Sequence, residues 1–302
     1  MSTLSFSAWT GVALAAGLLL AACGDEATEP SLPVEIPTAI VFDSDRSGNR
    51  DVFVLAPDGG VTQITANPAF DGWPDWSPDG GDIAFYSVRD GDAEVYAVDA
   101  DGSNLRNLTR HAAHDAHADW SPDGTRILFH SDRDGGFDMW VMDADGSNPE
   151  KVPVDLPGEQ GFGVWSPDGG RIAFHSQSGN AADVYVVNAD GSGLTQLTQT
   201  AAYDWRPAWS PDGEEIAFMS DRTGSVDVYI MKVDGSGLRA LTSDAASNGI
   251  PVWSPDGEWI AFASWAGAGS QPEVFVIRPD GTERTNLTRN PAYDAWPDWR
   301  PN

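Results

Sequence analysis

The chain contains little cysteine and few basic residues. Its single cysteine, Cys23, excludes an internal disulfide and a zinc site built from cysteines. Lys and Arg number 17 against 46 Asp and Glu, a formal charge of −29. This balance argues against nucleic-acid binding, because phosphates are bound by a basic face. No serine has glycine two residues away on both sides, so the nucleophile elbow of a hydrolase is missing as well.

The N-terminus has the pattern of an export signal. An apolar run over residues 12–22 ends directly at Cys23, and Leu20-Ala21-Ala22-Cys23 resembles the lipobox of bacterial lipoproteins, in which the cysteine is lipidated. We therefore predict a lipoprotein signal peptide over 1–22, lipidation of Cys23 and a flexible tether over 23–38. An uncleaved membrane anchor is the alternative. Both place the folded body outside the cytoplasm, facing the periplasm or the cell surface.

A repeat of about 44 residues organises the rest of the chain. Five copies of Trp-Ser-Pro-Asp-Gly and one of Trp-Arg-Pro-Asn start at Trp76, Trp120, Trp165, Trp209, Trp253 and Trp299. An Ile and a Phe lie seven and nine residues after the tryptophan of each complete copy, which is the alternation of a β-strand. A strand rich in Val and aromatic residues, an Asp-Gly turn and a short fourth strand come next. Each repeat therefore predicts one four-stranded blade of a β-propeller.

The two ends of this array complement each other. The array begins at a second strand, with Ile40 and Phe42, and it ends at a first strand over residues 296–299. We therefore predict an all-β fold over 39–302, a six-bladed β-propeller of four-stranded antiparallel blades. Its closure is predicted to come from pairing of the C-terminal strand with the first blade, which removes the open edges of an incomplete ring.

Acidic and aromatic residues are concentrated around the predicted innermost strands. Because the loops leading into these strands surround one mouth of the central channel, we predict an acidic ligand-binding mouth there. Its residues are Asp71, Asp75, Asp115, Asp119, Asp204, Asp294 and Asp298, with Trp73, Trp205 and Trp296 as stacking surfaces. A solvated rim of turn residues is the alternative.

All five histidines lie between residues 111 and 175. His117 is on an innermost strand, His130 is on its hairpin partner, and His175 holds the matching position in the next repeat. With Asp115, these three imidazoles form a candidate transition-metal site, and core-packed histidines are the alternative. The sequence indicates no definite cofactor, and it leaves open whether a divalent cation binds in the central channel.

The repeat resembles that of a known family. Trp-Ser-Pro-Asp-Gly, Ile-Ala-Phe, Ser-Asp-Arg and Leu-Thr, in this order, are similar to the TolB-type, WD40-like PD40 propeller repeat, and the resemblance covers residues 39–302. It implies a partner-binding propeller, since the TolB propeller contacts the peptidoglycan-associated lipoprotein. Similar repeats occur in peptidase gating domains and in oligogalacturonate lyases.

Together these features predict a monomeric, non-enzymatic scaffold that is held at a membrane by a lipid. Its expected partner, at the acidic mouth, is an envelope protein similar to the peptidoglycan-associated lipoprotein, or a cell-wall polymer. The alternative is a metal-dependent polysaccharide lyase that uses His117, His130 and His175. Stoichiometric metal in the purified protein would separate the two hypotheses.

Overall fold

Residues 32–267 and 269–302, which the computed structural model describes, form six four-stranded antiparallel sheets. Each sheet is one blade. Blade 1 consists of β1 (Ile40–Ser44), β2 (Asp51–Leu55), β3 (Val61–Gln63) and β24 (Asp294–Trp299). Blade 2 consists of β4 (Asp71–Trp76), β5 (Asp82–Ser87), β6 (Glu94–Asp99) and β7 (Arg106–Asn107). Blade 3 consists of β8 (Asp115–Trp120), β9 (Arg126–Ser131), β10 (Asp138–Asp143) and β11 (Glu150–Lys151).

In the remaining three blades, as in blades 2 and 3, the strands run in chain order from the innermost to the outermost. Blade 4 consists of β12 (Glu159–Trp165), β13 (Arg171–Ser178), β14 (Ala181–Asn188) and β15 (Thr195–Gln196). Blade 5 consists of β16 (Asp204–Trp209), β17 (Glu215–Ser220), β18 (Asp227–Lys232) and β19 (Arg239–Ala240). Blade 6 consists of β20 (Ser247–Trp253), β21 (Ile260–Trp265), β22 (Glu273–Ile277) and β23 (Thr285–Asn286).

The ring closes as the repeat array predicts. Blade 1 has the strand order β24-β1-β2-β3, so the C-terminal strand is its innermost strand. Ile40 pairs with Trp299 at one end of the β1–β24 ladder, and Ser44 pairs with Asp294 at the other. The prediction of a six-bladed propeller that is closed by its two termini is therefore confirmed.

The apolar positions of the repeat form the contacts between blades. The phenylalanine of each second strand is at most 1% exposed in all six blades: Phe42, Phe85, Phe129, Phe174, Phe218 and Phe262. Phe85 and Trp76 of blade 2, for example, pack against Val41 and Val52 of blade 1. Alternation along the strand places these side chains on one face of each sheet, where the neighbouring blade covers them.

The strand directions define two faces of the ring. In blade 2, Asp71 at the start of β4 pairs with Ser87 at the end of β5, so the loop into β4 and the β5–β6 hairpin lie on the same side. We call this side the hairpin face. The Trp-Ser-Pro-Asp-Gly turns lie on the opposite side, the motif face, where Gly80 adopts a φ of 65°.

Part of the predicted tether packs on the propeller. Ile36 is 6% exposed and belongs to a core cluster that contains Ile40 and Trp299, and Leu32 and Val34 pack against the same cluster. Leu32, Val34 and Ile36, which lie in the segment predicted to be a flexible tether, thus contact the propeller. The predicted signal peptide, Cys23 and the rest of the tether lie outside the described residues. In the part of the chain that is described, no helix is long and apolar enough to cross a bilayer.

Candidate functional site

A ring of six side chains surrounds the channel at the middle of the innermost strands. Each of these residues has a positive φ, between 51° and 58°: Trp73, His117, Phe162, Arg206, Ile250 and Trp296. Each lies where the register between the first and second strands of its blade shifts, for example between Trp205 and Ala208 in blade 5. The bulge turns this side chain out of the regular alternation, so that it lines the channel in each blade.

Aromatic rings from this ring of residues close the channel towards the hairpin face. Trp73 packs against Trp296 with ring centroids 4.8 Å apart, and Phe162 stacks on Trp296 at 5.8 Å. The guanidinium of Arg206 lies 3.8 Å from the Trp296 ring and 4.4 Å from the Phe162 ring. Burial lowers the pKa of Arg206 to about 9, and the carboxylate of Asp43 opposes that shift. We call Trp73, Phe162, Arg206 and Trp296 the plug.

Four of the predicted mouth carboxylates are buried ion-pair partners. They begin the innermost strands, are 0% exposed, and each lies 2.7–2.8 Å from the arginine of its own blade's hairpin: Asp71 from Arg89, Asp115 from Arg133, Asp204 from Arg222 and Asp294 from Arg46. Each arginine also covers aromatic rings, as Arg133 covers Phe129 and Trp140. The expectation of an open acidic rim is wrong for these four residues, because they are covered and paired within the fold.

The other three predicted carboxylates lie at the far ends of the same kind of strand. Asp75, Asp119 and Asp298 line a cavity of about 100 Å³ between the plug and the motif face. Each accepts a hydrogen bond from the backbone N–H of a tryptophan in the next blade. These contacts join Asp298 to Trp76 at 2.8 Å, Asp75 to Trp120 at 3.1 Å and Asp119 to Trp165 at 2.7 Å.

Burial favours the protonated form of these channel carboxyls. It raises the pKa of Asp119 to about 8 and that of Asp298 to about 7, and it raises the pKa of Asp75 well above its usual value. Repulsion between the carboxylates adds to the shift, whereas the tryptophan N–H groups oppose it. The channel interior therefore carries less negative charge at neutral pH than its three acids suggest.

The three candidate metal-binding histidines pack around one aromatic ring, and the imidazoles of His117 and His130 also stack on each other with centroids 6.0 Å apart. Phe162 lies 4.7 Å from His117, 5.2 Å from His130 and 5.4 Å from His175, measured between ring centroids. Burial lowers the pKa of His117 to about 3 and that of His175 to about 4, so both are neutral at pH 7. Within residues 32–267 and 269–302, no three His, Cys, Asp or Glu side chains are grouped to hold a metal ion. The predicted histidine metal site is therefore not assembled.

Two of these histidines contribute instead to a pocket on the hairpin face. The pocket, of about 250 Å³, lies where blades 3 and 4 meet, and His130, His175, Phe137 and Gln160 are among its lining residues. Trp73 of the plug forms part of its wall. An apolar cluster continues from the plug across this face, and it includes the partly exposed Trp265 and Tyr293. The hairpin face thus combines aromatic surface with a pocket that is lined by aromatic rings, imidazoles, amides and one carboxylate.

The comparison with protein families agrees with the repeat pattern. The TolB beta propeller domain, PD40, matches residues 60–156 and 150–302. The chain belongs to this family.

Solved structures show where the same fold occurs. TolB from Acinetobacter baumannii is 22% identical, with a TM-score of 0.77 over 90% of this chain and 68% of that one. The putative TolB from Agrobacterium tumefaciens is 21% identical, with a TM-score of 0.70 over 87% and 98%. An oligogalacturonate lyase in complex with manganese is 17% identical, with a TM-score of 0.58 over 82% and 73%. No curated protein sequence matches the chain significantly.

Several residues of this PD40 propeller that shape the site were not predicted. Phe162 and Arg206 occupy the same repeat position as the predicted Trp73 and Trp296, three residues before the motif tryptophan. That position holds five residue types in six blades, whereas the motif tryptophan three residues later is present in all six. Such a variable column inside a regular repeat was the available signal, because a residue that packs between blades is restricted in type.

Proposed function

We propose that this TolB-type propeller is a non-enzymatic binding module that docks a protein of the cell envelope, or an envelope polymer, on its hairpin face. The single observation that carries the proposal is the aromatic surface around the plug, which ends in the pocket beside Gln160. Aromatic side chains supply large contact areas at low entropic cost and dominate binding energies at interfaces. Family membership and the close likeness of the fold to TolB structures support a binding role.

The binding surface differs from the acidic mouth expected from the sequence. Trp73 and Trp205 remain in it as partly exposed aromatic residues. Trp296 is 8% exposed and supports the surface from below. The buried carboxylates at the strand starts position the hairpins that form the face, so they contribute to binding through the fold and not through contact.

The chain is proposed to work outside the cytoplasm, tethered by a lipid on Cys23. The apolar run and lipobox-like residues before Cys23 support this location. The residues between Cys23 and Leu32, the first described residue, would form a short linker between the lipid and the propeller. Replacing Cys23→Ser should move the protein from the membrane fraction to the soluble fraction, whereas Ser31→Ala should not. Retention of the Cys23→Ser variant in the membrane would contradict the lipid anchor.

Site-directed crosslinking in intact cells tests the docking face. A photoreactive residue at Trp205 or Phe137, both on the hairpin face, should trap a partner, whereas the same residue at the exposed Pro167 of the motif face should not. With the purified partner, Trp73→Ala should weaken binding about tenfold or more, because it removes a large ring from the contact surface. Crosslinks confined to the motif face, or binding unaffected by Trp73→Ala, would reject the proposed face.

The lyase alternative has weaker support. It draws on the resemblance in fold to a manganese-containing oligogalacturonate lyase, at 17% identity, and on the presence of histidines near one face. The imidazoles surround Phe162 instead of converging on one point, and the described side chains contain no group of three or more metal ligands. The histidines of this chain are therefore better explained as pocket walls.

A further inference from the structure

Five of the six blades contain a built site for a guanidinium group. At the start of each innermost strand, an acidic or amide oxygen accepts a hydrogen bond from an arginine of the same blade. Blade 6 keeps this arrangement with Asn248, whose Oδ1 accepts from Arg284 at 3.0 Å. Each of these arginines also lies about 5 Å from the centroids of two aromatic rings, as Arg284 does over Phe262 and Phe275. The site is a repeated structural device of this propeller.

Blade 4 has the acceptor but not the arginine. The corresponding residue, Gln160, is 2% exposed, and its Nε2 donates to the carbonyl oxygens of Leu156 and Gly158. Its Oε1 is buried and has no hydrogen-bond donor among the described residues. Ser178 takes the hairpin position that holds arginine in blades 1, 2, 3 and 5, and it pairs with Ala181 in an extended ladder. A buried amide oxygen without a donor is costly, so a ligand that supplies one is favoured.

The pocket beside Gln160 has the chemistry to receive a cation. Trp73 and Phe137 present aromatic rings to it, and Glu159 adds an exposed carboxylate. Aromatic faces attract guanidinium groups, and a protein charge of −29 attracts basic partners. His130 and His175 do not repel a cation, because burial lowers the pKa of both imidazoles and keeps them neutral at pH 7.

A guanidinium group would reach Gln160 from the pocket, and not from the side of the rings that arginine covers in the other blades. Those rings correspond to Phe174 and Tyr185 in blade 4, and Leu156 packs against their cluster. An apolar side chain thus joins the cluster of rings in blade 4, and Gln160 lines the pocket beside it. This arrangement distinguishes blade 4 from every other blade.

We propose that the pocket between blades 3 and 4 binds an arginine side chain of a partner protein, which donates to Gln160 Oε1 and stacks on the surrounding rings. Blade 4 then obtains from a partner the guanidinium that the other blades carry themselves. Arginine fits better than lysine, because its planar group can donate to Gln160 while lying flat on a ring. The inference rests on the proposed docking function and specifies the chemistry of the partner.

A pair of small probes tests the site directly. N-acetyl-arginine methylamide should shift the ring NMR signals of His130 and His175 in the full chain. N-acetyl-citrulline methylamide, which has nearly the same shape without the charge, should bind at least tenfold more weakly. Gln160→Met should weaken binding of the arginine probe about tenfold, because it removes the acceptor and keeps the length of the side chain. Gln196→Met, on the exposed β15, is the matched control and should have no effect.

A second variant protects the test against misfolding of Gln160→Met. Glu159→Gln changes only an exposed side chain at the pocket and should weaken arginine binding severalfold. Equal binding of the two probes, absence of histidine shifts, or binding unaffected by both variants would overturn the arginine site. If the probes fail while Trp205 and Phe137 still trap a partner, only this inference falls. If the arginine probe binds but no partner is trapped on the hairpin face, the proposed function falls instead.

Discussion

The two ends of the innermost strands place aspartates in different surroundings, with an arginine close by at one end and no cation at the other. On β8, Asp115 at the hairpin end lies 2.8 Å from Arg133, whereas Asp119, four residues later, faces the channel and accepts only a backbone N–H. Asp115 is 0% exposed, and Asp119 is partly exposed. The pKa of Asp119 rises to about 8 because burial penalises its charge and no cation compensates. The absence of a nearby cation, and not deeper burial, therefore distinguishes Asp119 from Asp115.

The same contrast explains what each group does. A carboxylate that is paired with arginine connects the hairpin to the innermost strand, and so it fixes the shape of the hairpin face. The channel carboxyls Asp298, Asp75 and Asp119 connect blades 1 to 4 through the tryptophan N–H groups. At the corresponding positions, blades 4 to 6 have Val164, Ala208 and Val252, so the other half of the channel is apolar there.

Breaking an arginine pair should have the largest effect. Arg133→Met leaves Asp115 buried without its cation, and we expect a loss of about 3–5 kcal/mol in the free energy of unfolding, measured with urea. The matched control is Arg239→Met, which breaks the exposed pair with Glu215 and should cost no more than about 1 kcal/mol. Equal losses in the two variants would show that the buried pairs are not structural anchors.

Removing a channel carboxyl should have a smaller effect, and one that depends on pH. The pKa of Asp119 is higher in the folded state than the ordinary value of 3.8. Protonation is therefore favoured by folding, and the stability it provides is lost as the pH rises from about 4 through 8. Asp119→Asn keeps an acceptor for the Trp165 N–H, so it should raise the melting temperature by about 3 °C at pH 9 and by clearly less at pH 5.

The control for this experiment is Asp123, whose pKa is shifted in the opposite direction. Hydrogen bonds from Thr125 and Ser121 lower the pKa of the exposed Asp123 to about 2, so its stabilising contribution is complete above pH 4. Asp123→Asn should therefore lower the melting temperature by the same amount at pH 5 and at pH 9. A constant shift for Asp119→Asn as well would mean that Asp119 is ionised throughout. The charge of Asp119 would then need a compensating cation in the cavity that it shares with Arg206, Asp75, Asp298 and His117.

The architecture was predictable because it depends on short-range pattern. The Ile and Phe of each second strand alternate within one strand, and the turn glycines follow a fixed motif, so each blade is specified locally. Closure followed from counting strands, and the pairing of Ile40 with Trp299 confirms it. The packing of Ile36 on blade 1 was missed, because a segment rich in proline and polar residues has no pattern that reveals its contacts.

The candidate site was predictable only in part. Trp73 and Trp296 were identified from the repeat and meet at the plug, but Phe162 and Arg206 join them only because four different blades converge at the channel axis. The aspartates at the strand starts were assigned to an open mouth. Their arginines lie 18 residues away in blades 2, 3 and 5, and 248 residues away in blade 1, so their pairing could not be read from local spacing.

The repeat thus specifies on its own how many blades form, which strands pair and which side chains separate neighbouring blades, since each of these follows from periodicity within a few dozen residues. Charge and accessibility are different. Whether an aspartate is ionised, whether three histidines converge or surround a phenylalanine, and whether Gln160 finds a donor depend on side chains that are distant in the chain. Folding brings those neighbours together, within one blade or between blades, because burial and Coulomb interactions act through space and not along the chain.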